Sequence, residues 1–495
     1  MGGFSGGQAR AREVNWKLNL RKIPIALVVA LPLVYLIYFF NLTAVGMLGP
    51  DEPRYAAIGR EMARSGDWVT PRLWGTGWFE KPALLYWMTA SASRLGLGTE
   101  LAPRLPVAIT AVGFLFFYWW IVRREFGCRA AWFASIILGT SGMWIGFSQV
   151  GVTDIPMTAY FSAAMLLALP WIAKRDQRAL PASAALFGLA VLAKGLGPVA
   201  LAAPLVRGRH IPDWLKPRVL LPLFVAALPW YVLCYSRNGW AFIHDFFVLH
   251  TFGRLASTAL AHGQPWWYYL PITAAAFLPW TPLLVLLARR SLYSDPRRQF
   301  LAAWLLFTLV FFSVMRNKLP GYILPALPAA AALAGIALDE LRAARGWLAA
   351  CAILLVAFPI AAQVLPSAFL NGLSHAPRPA FQTLWLAAPA VALLAWFLDS
   401  RGLRLAAMLT LAAGVSTGIA GVKILAAPEL DRSVSARGLW RQIEGRPAEV
   451  CLGNLKRDWI YGLDYYAGRA LPSCDETPAP VQVLPAPGDG AVVIR

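Results

Sequence analysis

Side chains able to move protons or hold phosphate are few in this chain, and they collect in short polar segments. Asp51, Glu52 and Arg54 stand in "GPDEPRY" at 49–55, directly after an apolar run, and "FEKP" at 79–82 sets Glu80 beside Lys81. Asp154 lies between "SQVGVT" and "IPMTAY", Lys194 ends an apolar stretch, and "RNKLPGYILPALP" at 316–328 carries Arg316, Lys318 and Tyr322. Residues 236–267 add His244, Asp245, His250, Arg254 and His262. Carboxylates in such places can orient or deprotonate a hydroxyl. Lys81 suits an anionic phosphate, and Glu80 suits a metal ion or a neighbouring cation. Each residue also has a plainer reading. Asp51 and Asp154 can cap helices, Glu80–Lys81 can be a surface ion pair, and Arg316 and Lys318 can snorkel. Snorkelling leaves Tyr322, four residues after Lys318, unexplained.

The elements that must position these residues are apolar. The chain has 495 residues, 58% hydrophobic and 14% charged, against roughly 25% charged in soluble proteins. Apolar runs long enough for a bilayer predict an all-α polytopic membrane protein of about 13 transmembrane helices. They fall at roughly 23–45, 101–122, 130–150, 155–173, 180–193, 195–206, 214–235, 268–288, 299–315, 320–341, 347–366, 381–398 and 405–427. The first run reads as an anchor because it is long and has no small-residue cleavage pattern. The pair 180–193 and 195–206 is short, with Lys194 and Gly195 between, and reads as a hairpin or re-entrant pair.

The net charge of +20 is not laid out for nucleic acid. Lys and Arg gather at alternate gaps between the runs, in clusters such as Arg123/Arg124/Arg129, Lys174/Arg175/Arg178, Arg289/Arg290/Arg297/Arg298 and Arg401/Arg404, as the positive-inside rule requires. That pattern puts the N-terminus in the cytoplasm. It puts the acids and potential ligands together on the outer face, with the tail from 428. Residues 46–100 predict two interfacial helices, and 236–267 a second outer loop. The tail, 428–495, predicts a small α+β domain: strands at "AEVCLGN" and "GAVVIR", and a helix in "DRSVSARGLWRQIEG". Of the five cysteines, Cys128, Cys234 and Cys351 read as packing residues. Cys451 and Cys474 are either a disulfide or two free thiols.

Charge collected at one interface suits an enzyme acting on lipid-borne substrates. A flippase or transporter predicts ionisable residues near the midplane and repeated halves, and neither pattern is evident. A ligase or polymerase of surface glycans shares the predicted topology.

The motifs in order resemble the GT-C type lipid-phosphate-sugar-dependent glycosyltransferases, the group of the aminoarabinose transferases that modify lipid A and the protein O-mannosyltransferases. They are "DEPRYAAIGREMARSGDWVTPRLWGTGWFEKPALLYW" (51–87), "GVTDIPMTAYF" (151–161), "LAKGLGP" (192–198), "HGQPWWYYLP" (262–271) and "NKLPGYILPALP" (317–328). The resemblance is closest to the aminoarabinose branch and covers the first two-thirds of the chain. It implies a GT-C catalytic domain over 1–427 and a bacterial inner-membrane location, with the active site and tail periplasmic. It implies an undecaprenyl-phosphate sugar donor, an inverting transfer, and a lipid A, protein or other envelope-glycan acceptor. Asp51 and Asp154 match the family's acids. Lys81, Arg254 and Tyr322, with Arg54 and Lys318, match its phosphate-binding groups. A divalent ion on Glu80 with His250 or His262 is implied, and a monomer that uses neither nucleotide cofactor nor nucleic acid is expected.

Overall fold

The computed structural model of the protein describes residues 25–206, 211–253, 263–486 and 490–494. Among them, eight helices are long and apolar enough to cross a membrane, or ten if each of two bent pairs is one span. The bent pairs are Cys128–Gly139 with Gly142–Ser148, turned by 60°, and Tyr269–Ala276 with Thr281–Ala288, turned by 116°. Pro279 and Pro282 fall at the second break, where each removes a backbone donor. Val29–Phe39 and Leu180–Lys194 are shorter apolar helices.

Twelve of the thirteen expected spans thus have a helical counterpart, and one does not. Residues 195–206 form only Gly197–Leu201 and a short 3-10 turn, Ala203–Leu205. Five residues rise about 8 Å, a quarter of the roughly 30 Å hydrocarbon core. Yet Lys194 pairs with Asp154 at one end of the Asp154–Lys174 span, while Asp213 accepts from Trp171 and Gln177 at its other end, so the chain returns along that span between Lys194 and Asp213 without a continuous helix among the described residues. The second outer loop also differs: helix continues through Pro217–Ile243 and a π-helix through His244–Gly253, with a kink at Gly239.

Buried charge in the helical body is rare. At the corner after Thr383–Ser400, Arg404 donates to Asp399 at 2.7 Å and to the carbonyls of Leu338 and Leu341 at 2.7 and 2.9 Å. Arg404 therefore locks a turn and is not only an orientation charge. Cys234 and Cys351 are buried as expected, while Cys128 is exposed.

On the opposite face the first loop folds into the helices Asp51–Ser65 and Leu84–Arg94, with a small hairpin, Arg72–Leu73 against Thr76–Gly77, between them. Glu52 to Gly59 are buried along the Asp51–Ser65 helix, because the tail covers its outer side. The tail itself packs Ala436–Ile443 and Arg457–Ala467 against a three-stranded sheet. Val450–Leu452 runs parallel to Val481–Pro485, which pairs antiparallel with Ala491–Ile494. Leu439, Ile443, Trp459, Leu463 and Val483 form its core, and Cys451 and Cys474 are disulfide-bonded.

The entry of the first loop is fixed by a buried ion pair. Arg104, at the start of the Leu101–Phe126 helix, donates to both oxygens of Glu52 at 2.7 and 2.8 Å. Its other donors reach the carbonyls of Leu42, Val45 and Gly46 at 3.2, 2.6 and 2.8 Å. Glu52 in turn accepts from the backbone N–H of Leu48 and Gly151, at 2.9 and 2.8 Å. All five guanidinium donors are thereby used, as a buried arginine requires.

Two predictions follow from these contacts. Arg104→Met or Glu52→Ala leaves a charge buried and unpaired, and is expected to cost about 3–5 kcal/mol. Replacing both residues by apolar ones will not restore stability, because three carbonyls and two N–H groups lose their partners as well. Thermal unfolding in detergent, followed for the two single variants and the double one, checks this. In the tail, burial pushes Asp464 up to about 7, although the Leu471 N–H, which it accepts at 2.8 Å, favours the charged form. The folded state then binds this proton more tightly than the unfolded state, so stability falls as pH rises from about 4 to about 7. Asp464→Asn is expected to raise the melting temperature, with a gain that grows between pH 5 and pH 8.

Candidate active site

The Asp51 carboxylate sits at the first position of its helix. Pro50 takes the N-cap place, and no side chain caps the end. The capping reading of Asp51 is therefore corrected: its carboxylate pairs with Arg54, one turn on, and keeps 51% of its side chain exposed. Arg54 is 4% exposed and also reaches Glu80 at 3.0 Å, while Lys81 approaches Glu80 at 3.5 Å. Charges thus alternate from Asp51 through Arg54 and Glu80 to Lys81. Trp78 and the tail's Tyr461 present their rings to Arg54 at 5.6 and 5.0 Å, a geometry that favours a guanidinium over an ammonium. Burial alone would weaken the Arg54 charge, but the carboxylates of Glu80 and Asp51 hold it protonated, above its ordinary value. Burial, with Glu80 nearby, likewise pushes the Tyr55 and Tyr86 hydroxyls up, so both stay neutral.

The second acid behaves similarly. Asp154 opens its helix without capping it, and its carboxylate accepts from the Lys194 ammonium at 2.7 Å. Lys194 ends the Leu180–Lys194 helix and faces the Tyr322 ring at 5.9 Å. Tyr322 enters from the 3-10 segment Pro320–Ala326, and Gly321 makes that approach possible. A Cβ there would stand 2.5 Å from the Phe147 ring and 3.1 Å from the Asp154 carboxylate. Gly151 similarly admits Pro103, which a Cβ would meet at 2.7 Å. The Glu52 bond to Gly151 brings the loop before Asp154 to the start of the Asp51 helix.

The remaining expected residues fall differently. Lys318 is buried, donating to the carbonyls of Gln264 and Met315 at 3.0 and 2.5 Å. With Arg316, Trp266, Trp267 and Tyr269 it lines a largely apolar cavity of about 940 Å³. Arg254 and His262 lie outside the described residues. Glu80, expected to share a divalent ion with His250 or His262, lies instead between Arg54 and Lys81. Its charge is already compensated, and two cations oppose the approach of a third. No group of three or more His, Cys, Asp or Glu gathers among the described residues. The donors described do not fit a metal centre, and no step is assigned to one.

Sequence reasoning gave no role to Arg104 or Tyr461. A lone arginine in "LAPRLP" looks like any rim cation, and Tyr461 lies about 400 positions after Arg54. Lys194 stood out as a rim cation and as the break between two apolar runs, but without a partner.

A family model described as dolichyl-phosphate-mannose-protein mannosyltransferase matches residues 80–232. An undecaprenyl phosphate-alpha-4-amino-4-deoxy-L-arabinose arabinosyl transferase of Aeromonas salmonicida is 33% identical over 332 residues, covering 63% of this chain and 60% of that protein. Its counterpart from Pseudomonas aeruginosa is 34% identical over 324 residues, covering 62% and 58%. The chain therefore spans about 60% of the length of the curated relatives it matches. Among solved structures, ArnT from Cupriavidus metallidurans bound to undecaprenyl phosphate superposes with a TM-score of 0.75 at 27% identity, over 94% of this chain and 97% of that one.

Fold and site together define a polytopic membrane protein of the GT-C type. Within that type, its sequence is similar to the aminoarabinose transferases and, over residues 80–232, to the mannosyltransferase family model.

The alternation of charge makes the Arg54 fork testable. Arg54→Lys keeps the charge but cannot serve Asp51 and Glu80 together, and it is expected to lower stability by about 1.5–3 kcal/mol. Thermal unfolding of the variant checks this, with Arg64→Lys on the same helix as an exposed control.

Proposed function

We propose that the protein moves a sugar from an undecaprenyl-phosphate donor to a lipid A-type acceptor, on the periplasmic face of a bacterial inner membrane. The observation that carries this reading is Asp51 itself: a half-exposed carboxylate at a membrane rim, clamped by a buried arginine. It stands in a fold that superposes on a solved relative bound to undecaprenyl phosphate. In this reading residues 1–427 are the catalytic domain and 428–495 a small periplasmic domain. The Cys451–Cys474 disulfide supports an oxidising compartment for the tail, and with it a cytoplasmic N-terminus.

The reaction is a single displacement at the anomeric carbon, with inversion. The bond from that carbon to the lipid phosphate breaks as a bond to the acceptor oxygen forms. The departing phosphate gains negative charge, which preorganised cations stabilise. Lys81 and Arg254 take that role, with Tyr322 as a hydrogen-bond donor and Arg54 fixing the first loop. Asp154 holds Lys194 toward Tyr322. Lys318 lines the apolar cavity at the same rim, which is of a size for part of the polyprenyl chain. A hydroxyl acceptor gives its proton to Asp51. A phosphate acceptor arrives ionised, and Asp51 then only orients it. The matched family model is described by transfer to protein, so a protein acceptor is the second reading.

Asp51→Asn and Asp154→Asn are each expected to reduce transfer by about 10²–10⁴-fold, with normal membrane insertion. Lys81→Ala should raise the donor KM more than it alters acceptor use. Transfer from a purified undecaprenyl-phosphate sugar, with lipid A products resolved by mass spectrometry, reads all three. Full activity in both aspartate variants would overturn the catalytic assignment. Glycosylated protein with unmodified lipid A would select the second reading.

A further inference from the structure

The Asp51–Ser65 helix carries two more arginines. Arg60 and Arg64 stand one turn apart and line a cavity of about 370 Å³ with Glu61, Trp74 and, from the tail, Arg469. Three guanidinium groups share this space with one carboxylate, and none of the three is ion-paired among the described residues. Arg60 donates to the Tyr465 carbonyl at 2.7 Å and lies over that ring at 4.3 Å. Arg469 donates to the Pro447 carbonyl at 3.0 Å, and Arg64 is exposed. Glu61 accepts from the Gly75 N–H, in the wall of the same cavity, at 3.1 Å.

Burial, together with Arg64, lowers the pKa of Arg60, although Tyr465 and Glu61 act the other way. An anion would relieve that repulsion. Arginine forks match phosphate oxygens in pairs.

We propose that this cavity is an anion subsite for a second phosphate on the acceptor head, remote from the group that receives the sugar. The proposal rests on the transfer reading above. Along the helix Arg60 and Arg64 lie nine and thirteen residues from Asp51, about 14–20 Å at 1.5 Å per residue. The acceptor is therefore an extended glycolipid head with anionic groups at both ends. The tail takes part in reading it through Arg469.

The test uses full-length protein in nanodiscs and the variant Arg64→Gln/Arg469→Gln, both positions being exposed. Binding of fluorescently labelled bis-phosphorylated and mono-phosphorylated lipid A is measured, with phosphatidylglycerol vesicles as competitor, alongside acceptor KM and kcat. The variant is expected to bind the bis-phosphorylated form about tenfold more weakly, a factor worth about 1.4 kcal/mol. It should bind the mono-phosphorylated form as the parent does and keep its kcat. Equal binding of the bis-phosphorylated form by parent and variant overturns the subsite, as does an equal loss for both lipids. Competition by phosphatidylglycerol that disappears in the variant also overturns it, because the cavity then serves membrane lipid. Absence of transfer to either lipid A defeats the transfer reading alone, and the binding comparison still judges the subsite.

Discussion

The outer face of this protein depends on the buried pair of Glu52 and Arg104. One guanidinium gathers the carbonyls at 42, 45 and 46, and one carboxylate gathers the N–H groups at 48 and 151. Three segments far apart in sequence are held by two side chains. Desolvating such a pair is expensive, and a buried salt bridge is seldom a net source of stability. Its value here is geometric. It fixes the entry of the Asp51 helix against the loop that leads to Asp154, so both acids stand on rigid supports.

The two acids share a design. Each is the first residue of its helix, each is paired with a cation, and neither caps. A carboxylate used as a cap spends its lone pairs on backbone N–H groups. One held by a side-chain cation keeps oxygens turned away from the helix. Aromatic rings complete both clusters: Trp78 and Tyr461 around Arg54, and Tyr322 beside Lys194. The site is thus built from charge, rings and helix starts, at the edge of an apolar body.

Much of this was legible in the sequence because a bilayer imposes simple rules. Apolar runs of bilayer length gave most of the helices, and the helix starts at Asp51 and Asp154 followed from acids and prolines after polar breaks. What failed has physical causes. Residues 195–206 are apolar but fold as short turns rather than one helix, since apolarity reports burial and not helicity. The run at 268–288 breaks sharply near Pro279, which composition averages hide. The site family Asp51, Glu80, Lys81, Asp154 and Tyr322 was visible as charge at one rim, but the pairing Glu52–Arg104 was not, because a buried ion pair leaves no local pattern. The long Arg457–Ala467 helix was missed for a related reason: its apolar residues face the tail's own core and the Asp51 helix, so its partner lies elsewhere in the chain.

The contacts between the tail and the first loop also set an order of assembly. The Gly46 N–H waits for Asp431, 385 residues later, and Arg437 closes on Glu100 and on the carbonyls of Thr43 and Ala44. At about 5–20 residues per second, ribosomal synthesis separates these partners by roughly 20–80 s. During that interval the first loop has its acids in place and its covering absent. The cluster becomes complete only when the last segment of the chain has been made. A nascent chain that stalls before the tail emerges therefore carries every candidate acid and lacks Tyr461, one of the two rings around Arg54.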